Sequence, residues 1–413
     1  MIGKSLDIAI KDFDYDLPEE RIAKFPLSER DKAKLLVFNN GGLQDRNFFE
    51  LPDLLDKDSL LVFNETKVVH ARLFFKKPTG SIIEVFCLEP TNPNEIQIAM
   101  AQKGEGFWKC FIGNNKKWKE DYLSKTITYN NKEITLCAKR ETQEDNAWIV
   151  KFTWTKEYSF AEVLFLMGVI PLPPYLNRQA IDKDNEDYQT IYAKQDGSVA
   201  APTAGLHFTQ KTFDDLKQKQ VQSNFITLHV GAGTFKPVSS ESITDHVMHS
   251  EKIGVPKRVI ENLIKYLDKK IICVGTTSVR TIESLYWHGV KLINNKEEDI
   301  EINISQWEPY QNAENITTKQ ALEAILDRMN RENIDLLSGQ TQIIIAPTYK
   351  YKIVRAMITN FHQPKSTLLL LVSAFIGDKW KECYKFALEN NYRFLSFGDA
   401  CYFEPATKRI DEY

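Results

Sequence analysis

Between about residue 68 and residue 154 the chain has a texture that few folds accept. Apolar and polar residues alternate in short segments at 71–75, 82–88, 96–101, 108–112, 126–129, 134–138 and 148–154. Turn chemistry separates them: Pro78-Thr79-Gly80, Asn92-Pro93, Gly113-Asn114-Asn115 and Asn130-Asn131. A period of two places alternate side chains on opposite faces of a strand, so each segment reads as half-buried β. Seven such segments with no helix pattern of useful length between them predict a small barrel or sandwich.

The flanks read differently. Residues 12–37 are charged and helix-leaning, and Ser59-Leu60-Leu61-Val62-Phe63 reads as a buried strand ending at Asn64. From Phe160 a helical pattern returns and breaks at Gly168-Val169-Ile170-Pro171. Beyond it, apolar strands at 225–230, 271–274, 343–345, 353–358 and 393–397 alternate with helical stretches. Pro256 opens one helix, 277–288 forms another stopped by Gly289, and Thr317 with Gln320 makes a capping box. Ser366 caps a helix at 367–376, and Asp378 caps one at 379–390. Such alternation specifies α/β architecture. The expected organisation is an α/β domain (1–66 and 156–413) with an inserted all-β, small-barrel domain (67–155).

Composition narrows the function. There are 53 Lys and Arg against 56 Asp and Glu, so the chain has no global positive field and any anionic partner needs a local patch. None of the six cysteines forms a CxxC pair, which argues against a thiolate zinc site. The first residues are broken by charges and do not resemble a secretory signal. The longest apolar run, 368–375, is too short to span a bilayer. A cytoplasmic location, no membrane partner and a monomer are the default expectations.

Four of the seven histidines fall between His207 and His249. Imidazole titrates near neutrality and serves in acid–base work or metal binding, although an isolated histidine is more often structural. His246 and His249 have a spacing that would share a helical face and ligate a metal, but no third ligand is evident. Glycine at Gly205, Gly231 and Gly233 allows close approach of backbone to a ligand, or simply makes tight turns. Val274-Gly275-Thr276-Thr277-Ser278-Val279-Arg280 reads as a strand end opening a helix. That offers free N–H groups to an anion, with Arg280 as a fork, or ordinary capping by Ser278 or Thr277. Asn360 and His362 follow another strand in the same way. In an open α/β sheet, ligands gather at the carboxyl ends of strands. Lys–aromatic clusters at 115–119 and 349–352 suit either a solvated face or base stacking.

Taken together, several strings resemble the S-adenosylmethionine:tRNA ribosyltransferase-isomerase family of queuosine biosynthesis. They are Phe13-Asp14-Tyr15-Asp16-Leu17-Pro18, Pro171-Leu172-Pro173-Pro174-Tyr175, and residues 199–208 (VAAPTAGLHF). Residues 227–235 (TLHVGAGTF), 275–280 (GTTSVR) and Thr359-Asn360-Phe361-His362 continue the likeness over nearly the whole chain. The resemblance implies an α/β domain interrupted by a small β-barrel. It also implies transfer of the ribosyl part of S-adenosylmethionine, as co-substrate, to 7-aminomethyl-7-deazaguanine at the tRNA wobble position. Epoxyqueuosine-tRNA forms, adenine and methionine leave, and no metal is required. His207, His229, His249 and Glu251 are then the acid–base candidates. Gly205, Gly231, Gly233, Thr276, Thr277, Ser278, Arg280, Asn360 and His362 are the substrate-binding candidates. Lys67, His70, Gln363 and the turn at 346–349 depart from the family's usual residues, and about 291–340 is longer than usual. Three alternatives follow: a paralogue with a different nucleic-acid acceptor, a metal-dependent hydrolase built on His207, His229, His246 and His249, and a non-catalytic tRNA-binding module.

Overall fold

The most apolar strands lie side by side at the centre of one large sheet. In the computed structural model, which describes residues 8–231, 240–295, 299–311 and 315–405, that sheet has ten strands. Its core is four parallel strands: Gln222–Leu228, Leu60–Asn64, Ile271–Val274 and Ala356–Asn360. Three of them are buried at every position, as expected for parallel strands covered on both faces. The Thr276–Asn294 helix packs against these strands, and the Thr318–Glu332 helix packs on it in turn. Ala400–Phe403 joins antiparallel to Ala356–Asn360, and Glu251–Pro256 antiparallel to Gln222–Leu228.

The alternating region forms a separate seven-stranded antiparallel sheet, with the large strands in the order 72–76, 82–92, 105–113, 147–154, 132–144 and 122–129, and Gly168–Val169 on the first edge. The sheet curls: Lys125 of its last strand reaches the Met167 carbonyl beside its first, at 2.7 Å. Its end strands do not pair with each other among the described residues, so the shape is a curled open sheet rather than a closed barrel. The Phe160–Met167 helix closes one mouth, burying Phe160, Val163, Leu164 and Met167 against Trp108, Phe152 and Trp154. The asparagine pair at the 130–131 turn takes left-handed φ values of 48° and 61°, the geometry that joins twisted strands tightly.

Several local expectations are overturned. Residues 96–101 are a helix, not a strand, because the Glu95 carboxylate accepts from the N–H groups of Gln97 and Ile98 and starts a turn. Residues 12–37 hold three short 3-10 turns and the Lys34–Asn39 strand, with Pro18 and Pro26 interrupting any longer helix. Gly289 does not stop its helix, which continues to Asn294. A Cβ there would lie 2.1 Å from the Ala321 carbonyl, so the glycine lets two helices touch. Pro256 is the N-cap residue, not the first helical one, and the Asp378 side chain makes no capping bond. Residues 343–345 and 393–397 are not strands. The closing strand is Ala400–Phe403, and the Asp399 carboxylate holds the Arg393 N–H at 2.8 Å. Ser366 and the Thr317–Gln320 box cap their helices as read. No helix among the described residues is long and apolar enough to cross a membrane.

Candidate active site

The central strands are parallel, so their carboxyl ends lie on one edge of the sheet. Ile271–Val274 passes through Gly275, whose φ of +86° suits glycine, into the helix beginning at Thr276. Ala356–Asn360 ends at Asn360 and runs on to His362. The 3-10 turn Thr203–His207 crosses this edge. Between them is a cleft of about 880 Å³, counting solvent at its mouth. Thr276, Thr277, Asn360, His362 and Thr203 line it, with Tyr175 and Ser396 on the far wall.

A hydrogen-bond chain fixes the chemistry of the floor. The Thr203 hydroxyl donates to Asn360 Oδ1 at 2.8 Å, so Nδ2 is the end of the amide facing His207 Nε2 at 3.3 Å. His207 Nε2 therefore accepts, and the neutral ring carries its proton on Nδ1. His207 is buried, and burial lowers its pKa to about 4 against the opposing pull of Asp399. Burial also lowers His362 to about 3, with its Nε2 2.9 Å from the Thr359 hydroxyl. His229 sits one residue before Val230, which lines the cleft; its Nδ1 is 3.1 Å from the Thr66 hydroxyl, and burial lowers it to about 4. The imidazoles nearest the cleft are thus neutral at pH 7.

The remaining candidates divide. Ser278 is spent inside its helix, donating to the Val274 carbonyl at 2.8 Å. No side-chain bond caps that helix, which leaves its first N–H groups facing the cleft end. Arg280 and Glu251 are buried and paired with each other, and Arg280 Nε also donates to the Ile343 carbonyl at 3.1 Å. Neither lines the cleft, so the expected anion fork and poised base are an internal ion pair. Gly205 is a packing position, since a Cβ there would meet the Tyr192 hydroxyl at 1.9 Å. Gly231 has open space on its side, and Gly233 lies outside the described residues. His249 is exposed, in a loop held by Gln306 to the His246 carbonyl and the Met248 N–H. That loop is not a helix, so the two histidines share no helical face. No group of three or more potential ligands is placed to hold a metal among the described residues. Thr203, Thr359, Tyr175 and Ser396 were not singled out from the sequence; Tyr175, Thr203 and Thr359 lay within matched strings, but nothing local marks a hydroxyl as facing a distant amide.

These imidazoles carry a stability consequence. His207, His288 and His362 are buried and lowered to about 4, 4 and 3, against about 6.5 in an unfolded chain. Below pH 6.5 the unfolded state binds the extra protons, so their contribution is complete above 6.5 and is lost as pH falls towards 4. Each costs up to about 1.4 kcal/mol per pH unit in that window. The denaturant midpoint is expected to fall steeply between pH 6.5 and 5; a flat midpoint there would contradict the burial of neutral rings.

Residues 10–403 match the family model described as queuosine biosynthesis protein. Among solved structures, the S-adenosylmethionine tRNA ribosyltransferase from Thermotoga maritima is 28% identical, over 95% of this chain and 99% of that chain, with a TM-score of 0.45.

Proposed function

The chain belongs to the queuosine biosynthesis protein family, and from that premise we propose that it transfers and isomerises the ribosyl part of S-adenosylmethionine onto 7-aminomethyl-7-deazaguanine at the wobble position of tRNA. The observation that carries this reading is the gathering of Thr276, Thr277, Asn360 and His362 in one cleft at the parallel strand ends, against neutral His207. The sulfonium acidifies the neighbouring ribose methylene. A neutral imidazole there takes the proton; the carbanion opens the ribose ring, adenine leaves with a proton, the aminomethyl nitrogen adds and gives up a proton, the former methylene carbon closes onto the anomeric carbon, and the oxygen there displaces methionine to form the epoxide.

We assign proton removal to His229. Its Nδ1 is engaged by Thr66, which leaves Nε2 for the transfer. His207 is a positioning residue, since its Nε2 is taken by Asn360. The open N–H groups at Thr276 and Thr277 suit the methionine carboxylate. The second amide hydrogen of Asn360 suits a base edge or a ribose hydroxyl. Glu251 and His249 have no step in this scheme.

The test incubates the protein with S-adenosylmethionine and tRNA bearing the aminomethyl-deazaguanine. Adenine release and a gain in nucleoside mass are expected; adenine no higher than in the protein-free control would refute the reading. Replacing His229 with alanine is expected to slow adenine release by about 10²–10⁴-fold with an unchanged melting temperature. Near-native release by that variant would remove His229 from proton transfer.

A further inference from the structure

A second cleft of about 970 Å³ opens between the curled sheet and the large-sheet body. Its floor is a pair of stacked rings: Phe165 lies over His70 with centroids 5.2 Å apart and planes 22° from parallel. Phe165 is 67% exposed although its helix neighbours Val163, Leu164 and Met167 are buried. Tyr129 and Tyr158 add two further rings to the walls. The His70 ring is held in place by its Nδ1, 3.0 Å from the Phe165 carbonyl. The acidic groups in the lining are already engaged: Asp196 pairs with Lys67 at 3.2 Å, and Glu162 caps the Ser159 N–H and hydroxyl.

Position and charge indicate the occupant. The cleft and His229 are joined by one short strand, Thr66–Val68: Thr66 meets His229, while Lys67 and Val68 line the cleft. Gln189, also in the lining, grips both the N–H and the carbonyl of Val68. Residues 67–155 carry 14 Lys and Arg against 10 Asp and Glu, whereas the rest of the chain carries 39 against 46. The sheet beside this cleft is therefore the positive part of an otherwise acidic chain, as a polyanion requires. The Lys–aromatic clusters read from the sequence offer no such platform. Trp118 is buried beneath Arg140, and Tyr349 is buried against Glu283.

We propose that the Phe165–His70 cleft stacks an unpaired nucleobase of the RNA whose neighbouring nucleotide enters the active-site cleft. The proposal rests on the functional reading above. Every base has an apolar π-face, so open rings bind bases with little sequence preference.

The test measures affinity for an anticodon stem–loop RNA carrying the aminomethyl-deazaguanine, together with steady-state adenine release. Phe165→Ala is expected to weaken RNA binding about ten-fold, and Phe165→Tyr to retain it. The KM for RNA rises, while kcat, the KM for S-adenosylmethionine and the salt slope of binding stay within two-fold of wild type. Phe165→Leu, which keeps apolar bulk without a ring, separates stacking from simple packing and should bind weakly. Wild-type RNA affinity in both the alanine and leucine variants overturns the proposal. A wild-type protein that neither binds the RNA nor releases adenine overturns the functional reading and this inference together.

Discussion

Replacing Glu283 with alanine is expected to destabilise the protein by on the order of 5 kcal/mol, at least a third of the ~5–15 kcal/mol that holds a folded domain together. Glu283 lies in the middle of the Thr276–Asn294 helix and is fully buried. Its carboxylate accepts four hydrogen bonds: from the Tyr349 hydroxyl at 2.7 Å and from the N–H groups of Lys352, Ile353 and Val354 at 2.8, 3.0 and 2.9 Å. Alanine leaves three buried donors, the Tyr349 hydroxyl and the Ile353 and Val354 N–H groups, without that acceptor, and each such loss costs about 1–3 kcal/mol. The loop so held leads directly into the Ala356–Asn360 strand. One carboxylate thus ties the helix that begins at Thr276 to the strand that ends at Asn360, and the cleft depends on both. Glu283→Gln keeps one acceptor but turns an amide N–H₂ towards donors, so an intermediate loss is expected. Thermal denaturation of the three proteins checks this; an alanine variant melting within about 2 °C of wild type would show that the loop holds without its anchor.

Asn360→Ala is expected to lower adenine release by about 10²–10³-fold, the size of effect seen when one preorganised polar group is lost from an active site. Asn360 bonds both Thr203 and His207, and its removal takes one hydrogen bond from the His207 ring and one from the Thr203 hydroxyl together. The cost in stability should be small beside the loss of rate. Asn360→Asp separates positioning from simple space-filling. A carboxylate 3.3 Å from His207 Nε2 would favour the imidazolium and raise the His207 pKa from about 4, moving its titration towards neutrality. The aspartate variant should therefore show a new pH dependence between pH 5 and 8 that the alanine variant lacks. Wild-type rates in the alanine variant would place the reaction away from this cleft.

Much of the framework was legible because its signals are local. Alternation with asparagine and glycine turns in 68–154 required an antiparallel sheet, and apolar runs flanked by caps located the central strands and the Ser366- and Thr317-capped helices. The errors came where a local signal has two outcomes. Residues 96–101 alternate acceptably for a strand, but a single glutamate cap tips them into a helix. A glycine such as Gly289 ends a helix in isolation but admits a second helix in a packed core.

By itself the sequence determined the two sheet types, their order along the chain, and which strand ends carry threonine, asparagine and histidine. Only the tertiary structure decided which of those groups face a shared space. Arg280 and Glu251 bear the chemistry of a site but neutralise each other in the interior, 29 positions apart. Asn360 and His207 are 153 positions apart and meet. Pairing of that kind depends on which side chains lose water together when the sheet closes, and no period, cap or turn in one stretch of chain records what will lie across from it.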